Sequence, residues 1–452
     1  MNRCSIILAA GKGTRMKSEL PKVLHKVNGT PMVKKVIEIL EKAGVNDNIV
    51  VLGHKKDEVL ASFENKLRYV VQKEQLGTGH AVMMAEEELK NFEGTVIVLC
   101  GDTPLIKTET IQKLIAFHEE SRAAATVLTC EFQNPFGYGR IIKDINGNIE
   151  AIVEEKEASD EIKNIKEVNT GFYCFDSKKL FNALKEIDNK NEKGEYYLTD
   201  VIKIIKNRNE KAEAYKISDE NEVLGVNSLE QLAQAAKILR ERKNSELMAA
   251  GVTLIDPSST YIEDLVEIGS DTIIYPNVTI EGKSKIGKFC KIMGSTRIES
   301  CIIGDYVEIE ASVLEESEVM DYVTIGPFAH LRPKAVLEKK VHIGNFVEVK
   351  KSVLHEGVKA GHLTYIGDSE VGENTNIGAG TITCNYDGKN KFKTEIGKNV
   401  FVGSDTKFVA PVKIGDNVLI GAGSVITKDV PADALAVGRA KQIVKDGWNK
   451  NR

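Results

Sequence analysis

The sequence predicts an α/β protein in three parts: a Rossmann-like N-terminal domain, a long linker helix, and a C-terminal parallel β-helix of hexapeptide repeats. Three observations carry this. Short apolar runs alternate with helical patterns in the first half. A helix-forming stretch without Gly or Pro spans 228–249. After it, aliphatic residues return every six positions. We place the domains at 1–227 and 251–452, with the linker at 228–250.

In the first part, residues 5–10, 48–53, 68–72 and 95–100 read as buried strands. Residues 31–43 and 79–90 have helical spacing between them. Strands alternating with helices imply βαβ units around a mostly parallel sheet. The stretch 228–249 carries Leu229, Leu232, Leu239 and Leu247 as its larger apolar residues, and Gly251 follows as a left-handed cap.

In the last part, Ile268, Ile274, Ile280, Ile286, Ile292 and Ile298 recur at intervals of six. The interval returns from Val319 through Ile325, Leu331, Leu337 and Ile343 to Val349, and from Ile396 through Val402, Phe408, Ile414 and Ile420 to Ile426. A period of six fits neither an ordinary helix nor a lone amphipathic strand. It fits a solenoid in which each hexad is one short strand and turn with one aliphatic side chain aimed at a common axis, three strands closing each coil. That gives about ten coils. Small residues follow the aliphatic one at Gly287, Gly344 and Gly415, where they suit tight corners and close stacking of coils. Residues 383–395, polar and Lys-rich, break the beat and read as a loop ejected from the solenoid: a surface insertion or a binding element.

Composition narrows the function classes. At 452 residues the chain exceeds one core. The net charge of −5 and the lack of a basic stripe argue against nucleic-acid binding. Seven scattered cysteines without CxxC spacing suit reduced thiols. No stretch approaches the roughly 20 apolar residues of a membrane helix, and the five-residue run Ile6 to Ala10 is too short for a signal peptide, so a cytoplasmic protein is expected. Four histidines (His330, His342, His355 and His362) lie on the β-helix without tight zinc-site spacing, so zinc is not expected.

Gly11 and Gly13 follow the first strand, where a Gly-rich turn either cradles phosphates or is simply a tight turn. Neither a Walker A motif nor a full dinucleotide fingerprint is present, since Met16 takes the third glycine's place. Asp102 stands just past the strand 95–100, at the edge where open α/β sheets bind ligands. It is either a structural carboxylate or a candidate hard oxygen ligand for a metal ion. Asn227 is either a second ligand or the N-cap of the linker helix.

LAAGKGTRM at 8–16 with Pro21-Lys22 resembles the signature of sugar-nucleotide pyrophosphorylases. QLGTGHA at 75–81, GDTPL at 101–105, GYGR at 137–140, IVEEK at 152–156, NTG at 169–171, GEYYLTD at 194–200 and GVNS at 225–228 follow in order. KAGHLTYIGD at 359–368, NIGAGTITCNYDG at 376–388 and FVGSDT at 401–406 complete the set. Together they resemble the bifunctional N-acetylglucosamine-1-phosphate uridylyltransferase and glucosamine-1-phosphate N-acetyltransferase family, over nearly the whole chain.

That resemblance implies a left-handed β-helix, and two reactions: acetylation of glucosamine 1-phosphate by acetyl-CoA, then coupling of the product to UTP. It implies UTP and UDP-sugar binding by the backbone of Leu8, Ala9, Ala10 and Gly11, with Gln72, Gly77 and Thr78. Gly139, Glu154 and Asn169 would hold the acetamido sugar, Lys22 would neutralise phosphate, and Asp102 and Asn227 would bind Mg²⁺. Cys100 departs from a Tyr carried by some relatives. In the second half, His362 would be the general base for amine attack, a task suited to imidazole. Arg332, Lys350, Tyr365 and Asn376 would hold the glucosamine phosphate. Ala379, Asn385, Tyr386, Ser404, Ala422 and Arg439 would line the acetyl-CoA groove. A homotrimer, with sites where β-helices meet, is also implied. A monofunctional nucleotidyltransferase with a regulatory or structural β-helix is the rival enzyme reading, and a non-enzymatic scaffold the rival from another class.

Overall fold

The computed structural model describes residues 2–451, so Met1 and Arg452, the outermost positions of the expected domains, lie outside it. The chain divides into two compact units, Met1–Leu239 and Arg240–Arg452.

The first unit is built on a mixed sheet. Its parallel core runs through the strands Gly94–Cys100, Asn2–Ala9, Asp47–Leu52 and Tyr69–Val71. Strand Glu167–Asp176 lies antiparallel to Gly94–Cys100 and to Ala125–Glu131, and Ala212–Ile217 closes that edge in parallel. A small antiparallel hairpin, Arg140–Lys143 with Ile149–Val153, joins the sheet through Val168. The expected strands and the helix near 31–43 (observed at Met32–Lys42) are present. The expected helix at 79–90 is two short helices, Thr78–Met83 and Glu86–Leu89. The central strands Ala125–Glu131 and Gly94–Cys100 are buried along nearly their full length, as strands covered on both faces must be.

Helix Leu229–Ala249 contains the division between the units. Ala235 and Leu239 pack with Val27, Met32, Leu105 and Val226. Leu229, counted among the apolar residues of this helix, is instead 53% exposed. The helix ends as expected: Gly251 takes a φ of 92°, and the N–H groups of Gly251 and Val252 turn back to the carbonyls of Met248 and Leu247.

The second unit is a left-handed parallel β-helix. Its short strands stack into three parallel sheets of 11, 10 and 9 strands, one sheet per face of a triangular prism. The aliphatic residues of the three six-residue runs all contribute to one continuous core, with Ile268 alone only partly buried. The small residues after them serve stacking rather than corners. A Cβ on Gly344 would stand 2.0 Å from the Gly361 carbonyl oxygen, and one on Gly287 2.5 Å from that of Gly304. The left-handed φ of the corners falls two residues later, on Phe289, Phe346 and Asn417. Among the described residues no helix is long and apolar enough to cross a membrane.

Candidate active sites

In the first unit the site residues collect where parallel strands end. Gly101 N–H donates to the Leu8 carbonyl (2.9 Å), and His54 N–H reaches that of Ala10 (3.4 Å). Ala9 and Ala10 are buried while Gly11 is exposed. The two glycines of the first turn differ. Gly13 has a φ of 62°, and its missing Cβ would meet Lys22 Cβ at 2.7 Å, so the fold requires it. Gly11 has nothing within 4 Å and no left-handed φ, so the fold does not.

Lys22 opens a short turn, Lys22–Leu24, after Pro21. Its ammonium pairs with Asp102 Oδ2 and donates to Asn227 Oδ1 at 3.2 Å. Val226 N–H donates to the Asp102 carbonyl (2.9 Å), tying the two oxygen-bearing loops together. Lys22 and Asp102 are each about 15% exposed, so this charge cluster is largely withdrawn from bulk water. Two hard oxygens aimed at one positive charge are a donor set that suits Mg²⁺, and in this respect the residues present fit the ion.

Gln72 is buried and donates from Nε2 to the Gly77 carbonyl (3.1 Å), beside His80 Nδ1 (3.0 Å). Thr78 Oγ1 accepts from Leu198 N–H, and a Cβ on Gly77 would strike the Tyr196 carbonyl. Asn169 N–H donates to the Gly139 carbonyl at 2.8 Å, and Thr199 Oγ1 donates to Glu154 Oε1 at 3.2 Å. Segment 194–200 therefore touches both the Gln72–Thr78 group and the Glu154 group. Burial raises the Glu154 carboxyl above its ordinary range. It also pushes the Cys100 thiol up to about 12, with the Asp102 carboxylate adding to the effect, so that thiol stays protonated at neutral pH.

In the second unit His362 ends the strand Lys359–His362, paired with Asn345 one coil earlier, and its side chain is exposed. A line of backbone contacts leads away from it along one corner of the prism. Gly380 N–H reaches the His362 carbonyl, Asp405 N–H that of Ala379 (2.7 Å) and Gly423 N–H that of Ser404 (2.8 Å). The Arg439 guanidinium reaches the Ala422 carbonyl. Four of the six expected acetyl-CoA residues thus share one edge, lined by small side chains.

The sheet after that corner bears Arg332, Lys350 and Tyr365. Glu348 pairs in register with Tyr365, and Lys350 with Gly367. Arg332 Nη1 bonds Glu348 Oε1 at 2.8 Å. The neighbouring cations Arg332 and Lys391 hold the Lys350 ammonium below its ordinary value. Three positive charges on one face suit a phosphate.

Asn376 lies elsewhere, at the start of a strand between Lys359 and Phe401. Asn385 and Tyr386 stand at a different corner, past the strand Ile382–Cys384. The segment 383–395 is not wholly ejected. Asn385 is buried, with Nδ2 on Asp368 Oδ2 (2.6 Å), and Tyr386 pairs with Lys391 in a small hairpin. Its two ends stay in the coil because strand pairing on both sides is retained.

Four residues of these surroundings escaped the sequence reading: Thr199, Asn345, Glu348 and Lys391. His342, one of the four β-helix histidines read in the sequence, is held below its ordinary value by burial with Lys359 and His362 alongside. For Asn345 the coil period was the available signal, and for Thr199 its place in GEYYLTD at 194–200.

Residues 4–238 match the nucleotidyl transferase family, and 393–428 match the bacterial transferase hexapeptide family (six repeats). The chain is 52% identical over 448 residues to the bifunctional protein GlmU of Streptococcus agalactiae serotype III (strain NEM316), covering 99% of this chain and 98% of that one. It is 51% identical over 450 residues to that of Staphylococcus haemolyticus (strain JCSC1435), covering 100% of both. With the protein of that name from Pelobacter propionicus (strain DSM 2379 / NBRC 103807 / OttBd1) it shares 50% identity over 450 residues, 99% of this chain and 98% of the relative. Similarity at this level over both halves places the chain in the family of bifunctional GlmU proteins.

Proposed function

We propose that the two transfers of this bifunctional enzyme run at two separate sites, one in each compact unit. The chain acetylates glucosamine 1-phosphate with acetyl-CoA, then transfers UMP from UTP to N-acetylglucosamine 1-phosphate, giving UDP-N-acetylglucosamine and pyrophosphate. The observation that carries the proposal is that each constellation lies wholly inside one unit: Lys22, Asp102 and Asn227 in the first, His362 and its corner in the second.

For acetyl transfer, His362 takes a proton from the substrate ammonium, since only the free amine attacks. The new C–N bond forms at the thioester carbonyl, the C–S bond breaks, and the thiolate of CoA leaves to be protonated. Arg332 and Lys350, with Lys391, grip the sugar phosphate. Ala379, Ser404, Ala422 and Arg439 line the path of the CoA arm. A single chain presents His362 and the Asn385-Tyr386 hairpin at different corners, with Asn376 beside Lys359 and not on the face of Arg332 and Lys350. This supports a homotrimer in which copies complete one another's sites.

For uridylyl transfer, a phosphate oxygen of the sugar attacks the α-phosphorus of UTP, and the bond to pyrophosphate breaks. Leu8 to Gly11, Gln72, Gly77 and Thr78 hold the nucleotide, while Gly139, Glu154 and Asn169 hold the acetamido sugar. Asp102 and Asn227 would hold Mg²⁺, which supplies charge neutralisation of phosphate oxygens when bound. Lys22 adds a second positive charge at the same place. Seven free cysteines support a cytoplasmic setting.

His362→Ala tests the separation. Acetyl transfer to glucosamine 1-phosphate is expected to fall by at least about 10²-fold, the usual worth of a general base. Uridylyl transfer to N-acetylglucosamine 1-phosphate is expected to stay unchanged. Retained acetyl transfer would remove His362 from its role.

A further inference from the structure

Just outside the cluster of Asp102 and Asn227 stands a buried carboxylate that the two transfers do not use. Glu222 is 5% exposed. Its Oε1 accepts from Lys107 Nζ at 3.0 Å, and its Oε2 accepts from Thr110 Oγ1 at 2.5 Å and from Lys107 N–H at 3.3 Å. Asp219 Oδ2 accepts from the same Lys107 ammonium at 2.9 Å. Lys107 precedes the helix Thr108–Ser121 and has no side-chain cap of its own there. Glu222 thus supplies, from a distant part of the chain, the anion that a helix N-terminus favours.

The placement matters because of what each partner leads to. Lys107 stands five residues after Asp102, and Glu222 five residues before Asn227. The two segments run between the same three ties. At one end Lys107 meets Glu222 and Asp219; at the other, Val226 N–H meets the Asp102 carbonyl and Lys22 joins the Asp102 and Asn227 side chains. Removing Lys107 leaves the buried Glu222 carboxylate uncompensated, and removing Glu222 leaves the half-exposed Lys107 held by Asp219 alone, so either change loosens this end of both segments.

We infer that the Lys107–Glu222 pair is a brace that fixes the separation of the Asp102 and Asn227 oxygens, making Glu222 a positioning residue for divalent-metal affinity in uridylyl transfer. The inference rests on the reading of Asp102 and Asn227 as metal ligands. Residues that orient metal ligands from outside typically change affinity or activity about 10–100-fold when altered.

The test is Mn²⁺ binding to the full chain in the presence of UTP, read by electron paramagnetic resonance and so independent of turnover. Glu222→Gln and Lys107→Met are each expected to weaken Mn²⁺ binding about 10–100-fold. Uridylyl kcat should recover at saturating metal, and acetyl transfer in the same samples should be unaltered. Thr110→Val removes one neutral donor and keeps the test open if a charge variant does not fold; a smaller weakening in the same direction is expected. Unchanged Mn²⁺ affinity in the folded variants overturns the brace. Asp102→Ala separates the two failures. If it binds Mn²⁺ normally, the metal assignment falls and the brace with it. If it loses Mn²⁺ while Glu222→Gln does not, the brace alone is wrong.

Discussion

The two units assemble their sites by opposite means. In the β-helix, contacts repeat at a nearly constant step along the chain: Arg332 with Glu348 at 16 residues, Asn385 with Asp368 at 17. In the first unit the cluster joins Lys22 to Asp102 across 80 residues and to Asn227 across 205. A solenoid turns sequence period into a spatial column, so neighbours can be counted. A sheet edge gathers loops whose neighbours no period announces.

This difference is sharpest at two glycines. Gly344 sits in the coil that precedes His362, and any Cβ there collides with the backbone of the next coil at 2.0 Å. Backbone cannot step aside as a flexible side chain can. Gly344→Val is therefore expected to cost about 1–3 kcal/mol or more, the range for overpacking a filled interior. Acetyl transfer should fall with it while uridylyl transfer is preserved, as thermal unfolding and paired assays would show. Equal loss of both activities would break the claim that the coil acts on its own unit.

Gly11 is the opposite case. With nothing within 4 Å of a Cβ and no left-handed φ, Gly11→Ala should leave stability within about 0.5 kcal/mol of the parent. Uridylyl transfer should still suffer, through a raised KM for UTP, because a methyl group would stand where backbone N–H groups approach phosphate. A lowered Tm with normal KM would return Gly11 to the status of a turn residue. The sequence left that choice open.

Much of the architecture was legible for the same reason. The period of six placed the core of the β-helix, and the apolar runs placed the four parallel strands. The antiparallel strand Glu167–Asp176 was not legible, since Asn169, Thr170 and Gly171 interrupt its apolar run. The role of the small residues after each aliphatic was only half read. Gly344 and Gly415 allow coils to stack, while the corners use Phe346 and Asn417 in left-handed backbone. The segment 383–395 read as a free loop because its composition is polar, yet Asn385 is buried against Asp368. Composition does not reveal a hydrogen bond to a buried carboxylate. In the first unit, motif resemblance named Lys22, Asp102 and Asn227, but only the fold shows that one ammonium reaches both oxygens.

The independence of the two sites is tested most directly by complementation. Asp102→Ala and His362→Ala proteins are each supplied with glucosamine 1-phosphate, acetyl-CoA, UTP and Mg²⁺, alone and mixed. The Asp102 variant alone should accumulate N-acetylglucosamine 1-phosphate, the His362 variant alone should make neither product, and the mixture should form UDP-N-acetylglucosamine. A mixture that forms none, although both variants are folded, would contradict two separable sites.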